Sequence, residues 1–310
     1  MEKIAVYGAG VIGSSQATLT TGNGMSTIVV GHSVAGLERC RRSMEQNWDD
    51  LIANGLAKPE NKEAAMTLVT LTRDPAELAG CTFVFEAVAE DIAVKEKVYR
   101  DICTYADEKV IIASGTSSLD AELLAQHTEK SEQLLIAHPF QPVHMLPLVE
   151  VVKSSRTSEE TVERTVALLE KLHRKVVKLE KSVPGFLVNR LAQALFRESL
   201  YLLEQGVTTA EDIDLAVKYA VGMRYASIGL LEYFDAVGFD LEKAIAVNVY
   251  PDLCSTTEIQ SIVKAGLETG KTGQQAGQGL FDWSKKDADD FRLRKQSPYF
   301  AGVKEWNMPI

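Results

Sequence analysis

No apolar run in the chain approaches the roughly 18–20 residues of a membrane-spanning helix, which excludes an integral membrane protein of the helical kind. Cysteine is scarce. The four present (Cys40, Cys81, Cys103 and Cys254) form no C-x-x-C pair and have no histidine at metal-ligand spacing. A disulfide framework and a structural metal site are therefore not expected, and the thiols read as reduced and packed. Positive charge is outnumbered, with 33 Lys and Arg against 43 Asp and Glu, a net charge of −10. A nucleic-acid partner would want a basic face; a small anionic ligand needs only a local one. Repeats and low-complexity stretches are also missing. Met1-Glu2-Lys3 runs directly into the first apolar stretch, with no length for a signal or transit peptide. The expectation is a cytoplasmic protein of about two domains, since 310 residues exceed one typical domain.

What is present is concentrated at the start. Ile4-Ala-Val-Tyr7 is an apolar run of strand length, followed by Gly8, Gly10 and Gly13 at G-x-G-x-x-G spacing. A second β-rich run, Ser26 to Val30, follows about 20 residues on. Each glycine has a separate reason to be there. Gly8 permits the tight strand-to-helix turn, Gly10 lets a pyrophosphate approach the backbone, and Gly13 lets the helix pack close to the sheet. Val11 and Ile12 complete the turn, and the helix after it offers free N–H groups to phosphate oxygens. This reads as a dinucleotide-binding unit.

Further along, Gly36 to Leu56 has Leu37, Cys40, Met44, Trp48 and Leu51 at helical spacing, with Arg39, Arg41 and Arg42 on its charged face. Thr82 to Val88, Val110 to Ser114 and Leu134 to His138 are near-continuous β runs, as buried parallel strands require. Helical stretches (Lys95 to Ala106, Leu119 to Ala125) separate them. Another pair, Val149–Val152 and Lys175–Leu179, flanks a helix from Glu159 to Leu172. The pattern predicts an α/β, Rossmann-type doubly wound and mostly parallel sheet over residues 1–183. From Pro184 strand candidates all but vanish. Phe186 to Gln205 reads as a long helix, and Thr209-Ala-Glu-Asp212 as the capped start of the next. Residues 184–310 are expected to form an all-helical substrate domain, its apolar surface shared with a second subunit in a homodimer.

Ligands of open α/β sheets lie beyond the carboxyl ends of the strands. Glu86, Ser114 to Ser118, and His138 fall at such ends. Among five histidines, His138 stands out because it directly follows the Leu134-Leu-Ile-Ala strand. Oxidation of an alcohol by a nicotinamide needs a base for the hydroxyl proton, and a carboxylate beside an imidazole would hold its tautomer. Glu150, inside Leu146-Pro-Leu-Val-Glu-Val-Val152, is a candidate partner, because a lone carboxylate in such a strand is costly. A solvent-facing glutamate on an edge strand is the competing reading.

These residues carry a resemblance. Gly8-Ala-Gly-Val-Ile-Gly13, Ser114-Gly-Thr-Ser-Ser118, Ala137-His-Pro-Phe-Gln-Pro142, Leu148-Val-Glu-Val-Val152, Pro184-Gly-Phe-Leu-Val-Asn-Arg190 and Gly277-Gln-Gly-Leu-Phe-Asp-Trp283 come in the order and spacing of the 3-hydroxyacyl-CoA dehydrogenase family. The resemblance implies His138 as general base, Glu150 as its orienting partner, and Ser117 and Asn189 as donors to the substrate oxygen. It implies Gly8, Gly10, Val11, Ile12, Gly13, Gly31, His32, Ser33, Glu86, Lys95 and Ser114 as cofactor-binding residues, with Glu86 and Lys95 near the nicotinamide half. The implied activity is reversible hydride transfer between NAD(P) and the C3 hydroxyl of a 3-hydroxyacyl-CoA.

The chain also departs from the family pattern. The acidic residue that binds the adenosine ribose after the second strand aligns with Gly31, followed by His32 and Ser33. Without that carboxylate, NADP becomes an acceptable cofactor. Gly115 replaces an asparagine, Gln141 replaces another, and Gly229-Leu-Leu-Glu232 stands where the family has Gly-Pro-Phe-Glu. The Ala137-His-Pro-Phe wording and the tail from Ser284 to Ile310 are closer to members acting on free hydroxy acids, such as gulonate and carnitine dehydrogenases. A free 3-hydroxy acid is thus the rival substrate, and an NAD(P)-binding protein drifted from catalysis is the rival class. Ser261-Ile-Val-Lys264 and Lys271-Thr-Gly273 imitate hydrolase elements but sit too close together to act as such.

Overall fold

In the computed structural model, which describes residues 2–305, the opening apolar run is strand β1 (Ile4–Tyr7). Met1 and the last five residues of the tail lie outside the described residues. β2 (Thr27–Val30), β3 (Val69–Thr72), β4 (Phe83–Glu86), β5 (Ile111–Ser114), β6 (Leu134–Pro139), β7 (Leu148–Val152) and β8 (Lys175–Leu179) join β1 in one sheet, ordered β3-β2-β1-β4-β5-β6-β7-β8. β3 through β6 run parallel, β7 is antiparallel to β6, and β8 is parallel to β7. The order reverses between β1 and β4, which is where such sheets open a crevice for ligands.

The strands are apolar on both faces because both faces are covered. Ile4, Val6, Phe83, Phe85, Ile111 and Leu135 pack to one side, with Cys40 and Met44. Ala5, Val84, Ile112, Leu134 and Ile136 pack to the other, with Tyr99 and Ile102. Helix α1 (Val11–Gly22) follows β1, and α2 (Val34–Ala53) follows β2. α2 begins two residues before the predicted start, because the Ser33 hydroxyl caps it by accepting the Gly36 N–H at 3.1 Å. α3 (Pro59–Thr67) and β3 escape the sequence reading. Thr70 and Thr72 break up the apolar signature that marks the inner strands. α4 (Ile92–Tyr105), α5 (Ala121–Gln126) and α6 (Glu159–Lys171) complete the connections.

Val188–Arg292 forms one compact unit, and the described residues before and after it form the other. The predicted helix from Phe186 begins instead at Val188, as α7 (Val188–Glu204). Gly185 (φ 76°) and Phe186 (φ 49°) are both left-handed, a conformation no helix start accepts. The unit continues through α8 (Ala210–Ala216), α9 (Met223–Ser227), α10 (Leu230–Val237), α11 (Phe239–Val249) and α12 (Ser261–Glu268). Thr209 caps α8 by accepting the Asp212 N–H. Several large apolar side chains of this unit face outward, Leu231 at 82% and Phe239 at 74% exposure. Helix α13 (Ala288–Glu305) begins in this unit and ends in the other. From Leu293 onward the chain belongs to the first unit, because Tyr299, Phe300 and Val303 pack on Trp48, Leu51 and Met145. A boundary near residue 183 therefore does not assign the whole tail to the helical part.

Candidate active site

The turn after β1 is closed by its glycines. Gly8 has φ +127°, and a methyl there would lie 2.3 Å from the Ala87 carbonyl oxygen; one at Gly13 would lie 1.8 Å from that of Gly8. At Gly10 a methyl would meet nothing within 4 Å. The backbone at Gly10 faces open space, at the start of a helix whose cap supplies no side-chain oxygen. A phosphate-bearing ligand needs that combination of a tight turn, an open approach and available N–H groups. Val11 is exposed and Ile12 half-buried beside it. Gly31 directly follows β2, its N–H bonded to the Thr72 carbonyl at 2.9 Å, and His32 is exposed. Ser33 is already engaged as the cap of α2.

The ends of β4 and β5 hold a buried polar knot. The Glu86 carboxylate accepts from Lys95 Nζ at 2.8 and 2.9 Å, from Ser114 Oγ at 2.6 Å and from the Val88 N–H at 2.9 Å. Tyr99 adds a longer contact at 3.3 Å. Burial, and then the charge of Glu86, push the Tyr99 phenol well above its ordinary range. Glu86, Lys95 and Ser114 are each almost wholly buried and are satisfied by one another. A buried pair of this kind holds only because the carboxylate is surrounded by donors.

Sequence reasoning missed Glu90, in the loop between β4 and α4. Its Oε1 accepts the Ser117 N–H at 2.8 Å and the Thr116 hydroxyl at 2.9 Å, with Ser117 Oγ at 3.4 Å. Its Oε2 lies 3.5 Å from Lys95 Nζ. Burial works to raise the Glu90 carboxyl, but the Ser117 N–H, the Thr116 hydroxyl and the Lys95 charge outweigh it and hold it below the usual carboxylate range. Lys95 thus joins Glu86 to Glu90, and Glu90 fixes the loop that presents Ser117. Only the fold brings these loops together; Glu90 sits four residues after Glu86 in a charged stretch that reads as solvated surface.

His138 and Glu150 are directly opposed across the antiparallel β6–β7 pair. His138 Nδ1 and Glu150 Oε2 are 2.9 Å apart. Glu150 is completely buried and His138 is 6% exposed, so Glu150 is not a solvent-facing edge residue. The other carboxylate oxygen accepts the Leu187 N–H at 2.9 Å. The left-handed turn at Gly185 and Phe186 has two effects here. It aims that N–H at Glu150, and it sets the Phe186 ring 5.7 Å from the imidazole, with Phe140 at 4.6 Å on another side. An ionised carboxylate only accepts, so Nδ1 is the nitrogen that donates to Glu150, and Nε2 stays outside that bond. Asn189 belongs to the second unit, in the first turn of α7.

Residues 3–183 match the family described as 3-hydroxyacyl-CoA dehydrogenase, NAD binding domain, and residues 185–283 match its C-terminal domain. The chain belongs to the 3-hydroxyacyl-CoA dehydrogenase family. Among relatives in this family, 5-formyl-3-hydroxy-2-methylpyridine 4-carboxylate 5-dehydrogenase of Mesorhizobium japonicum is 30% identical, over 91% of this chain and 90% of that protein. L-carnitine dehydrogenase of Bacillus cereus is 32% identical, over 88% and 86% of the two chains. A crystal structure of the first enzyme, described as an NAD+-dependent dismutase, aligns with a TM-score of 0.90 at 28% identity and covers 99% of each chain. The family's members act as NAD-dependent dehydrogenases on hydroxyl groups, which makes this chain an oxidoreductase with a nicotinamide-binding Rossmann domain. Among the described residues no helix is long and apolar enough to cross a membrane.

Proposed function

We propose that the protein oxidises and re-forms a secondary hydroxyl on a small free hydroxy acid, with His138 as general base. The observation that carries this reading is the buried His138–Glu150 pair, its Nδ1 and carboxylate oxygen 2.9 Å apart at the carboxyl end of β6. The nicotinamide, when bound, supplies the acceptor and donor of hydride. Gly8, Gly10, Val11, Ile12 and Gly13 would hold its pyrophosphate. Gly31, His32 and the capped turn at Ser33 would border the adenosine ribose. His138 takes the hydroxyl proton at Nε2, and Glu150 stabilises the imidazolium that results. Ser117 donates to the substrate oxygen as the carbonyl forms. Glu86, Lys95 and Ser114, having almost no accessible surface, act by building the floor on which Glu90 and the Ser117 loop rest.

The sequence reading put a 3-hydroxyacyl-CoA first and a free hydroxy acid second. The order is reversed here because the relatives matched over most of their length carry names of enzymes for free acids, carnitine and a pyridine carboxylate. The family's own description keeps the CoA ester as the second reading. The missing acid at Gly31 supports acceptance of NADP as well as NAD. The outward apolar side chains of the helical unit support a homodimer, since a patch of that kind on a soluble protein marks an interface.

A panel of free 3-hydroxy acids, sugar acids, carnitine and acetoacetyl-CoA, each with both nicotinamides, tests the proposal. Turnover of a free acid at least tenfold better than of any CoA ester is expected, and the opposite ranking overturns the substrate reading. His138→Gln should lower kcat by about 10²–10⁴-fold with cofactor binding retained. A variant keeping a tenth of the activity overturns the base.

A further inference from the structure

Three segments contribute basic residues around the carboxyl end of β2. β2 and β3 are parallel, with Val30 opposite Thr72, and the Gly31 N–H reaches the Thr72 carbonyl at 2.9 Å. Arg73, one residue past that bond, therefore leaves β3 alongside Gly31, the residue before His32. Arg39 comes from the opening turns of α2, and its Nη2 lies 3.8 Å from where a methyl on Gly36 would stand, folded back over the first turn of the helix. His32, Arg39 and Arg73 are all exposed, and their side chains form no hydrogen bond or ion pair among the described residues. Two carboxylates neighbour them in sequence. Asp74 is turned back to cap the Ala76 N–H at 3.0 Å, and Glu38 is exposed on α2. No carboxylate can be placed at Gly31 without rearrangement. A side chain there would begin 2.7 Å from Leu37 Cδ2 and 3.0 Å from Ala9 Cβ.

We propose that His32, Arg39 and Arg73 form a phosphomonoester site that selects the 2′-phosphorylated dinucleotide, with Arg73 and Arg39 as its specificity-determining residues. The inference rests on the reading of the glycine turn as the dinucleotide site and adds to it the groups that choose between its two forms. A guanidinium offers a planar pair of donors that fits two phosphate oxygens, and two of them approaching from different segments would grip the group from two sides. A bare ribose hydroxyl pair offers them no anion. The site was legible only in part from the chain, because Arg73 lies over 40 positions beyond Gly31 and is carried there by the β2–β3 pairing.

Calorimetric titration of the intact protein with 2′,5′-ADP and with ADP tests this without turnover. Binding of 2′,5′-ADP at least tenfold tighter than ADP is expected. Arg73→Ala and Arg39→Ala should each weaken 2′,5′-ADP at least tenfold while leaving ADP within about twofold, with Arg73→Lys recovering part of the loss. Equal binding of the two nucleotides, or equal weakening of both by the variants, overturns the phosphate site while the dinucleotide reading stands. Failure of both nucleotides to bind overturns the reading beneath it as well.

Discussion

Ser15 and His144, 129 positions apart, share a hydrogen bond of 2.7 Å between the Ser15 hydroxyl and the imidazole Nδ1. The His144 backbone N–H returns to the same hydroxyl at 3.2 Å. The pair ties α1, which starts at the glycine turn, to the connection between His138 and Glu150. Burial, and then the nearby Arg174 charge, hold the His144 imidazole down to about 4 from an ordinary 6.5.

A neutral buried histidine gives stability a defined pH dependence. The folded pKa is lowered, so between pH 4 and 6.5 the unfolded chain binds more protons than the folded one. The contribution is complete above pH 6.5 and falls away as pH drops toward 4, by on the order of 3 kcal/mol in all. Thermal midpoints measured across that window should decline less steeply for His144→Asn than for the unaltered protein. Parallel curves would refute the assignment.

Glu150→Gln should lower kcat more than KM. The amide can no longer stabilise an imidazolium, and it can present its own N–H to Nδ1 and so invert the tautomer. A fall in kcat of about 10²–10³-fold is expected, together with an altered acid limb of the pH–rate profile. Kinetics unchanged within threefold would show that the pair is merely structural.

Lys95→Met should cost about 3–5 kcal/mol, because it leaves the Glu86 carboxylate buried without its counter-charge. Glu86→Gln together with Lys95→Met should recover much of that loss. A denaturant-unfolding double-mutant cycle measures the coupling, and additive effects would contradict a buried pair.

Glu90→Gln tests the loop that sequence reasoning overlooked. Gln keeps an acceptor for the Ser117 N–H but gives up the charge that faces Lys95. Charge-assisted bonds are about twice as strong as neutral ones, so kcat/KM should drop about tenfold, or roughly 1.4 kcal/mol. The thermal midpoint should barely move, since the Glu90 side chain is 40% exposed. A stability loss without a kinetic one would reverse this assignment.

The strands that form the middle of the sheet were readable because each is covered on both faces and so must be apolar throughout, as in Phe83–Phe85 and Ile111–Ala113. The glycine turn was readable for a related reason: backbone sterics at Gly8 and Gly13 tolerate no side chain. α3 and β3 lacked such a signature, since edge threonines and a short charged helix resemble loop. The start of α7 was misplaced because a left-handed phenylalanine at 186 leaves no mark in composition.

By itself, then, the amino-acid order determined the things that local chemistry compels: the phosphate-facing turn, the alternation of strand and helix, the change to helix after Pro184, and an imidazole at the end of an apolar strand. Tertiary structure alone decided which groups meet. The antiparallel register of β6 and β7 put Glu150 on His138, the packing of two loops put Glu90 on Ser117, and the β2–β3 pairing brought Arg73 to Gly31. Spacing along a chain constrains neighbours a few residues away, whereas contacts across a sheet depend on register, which is settled only when every strand has buried its apolar face.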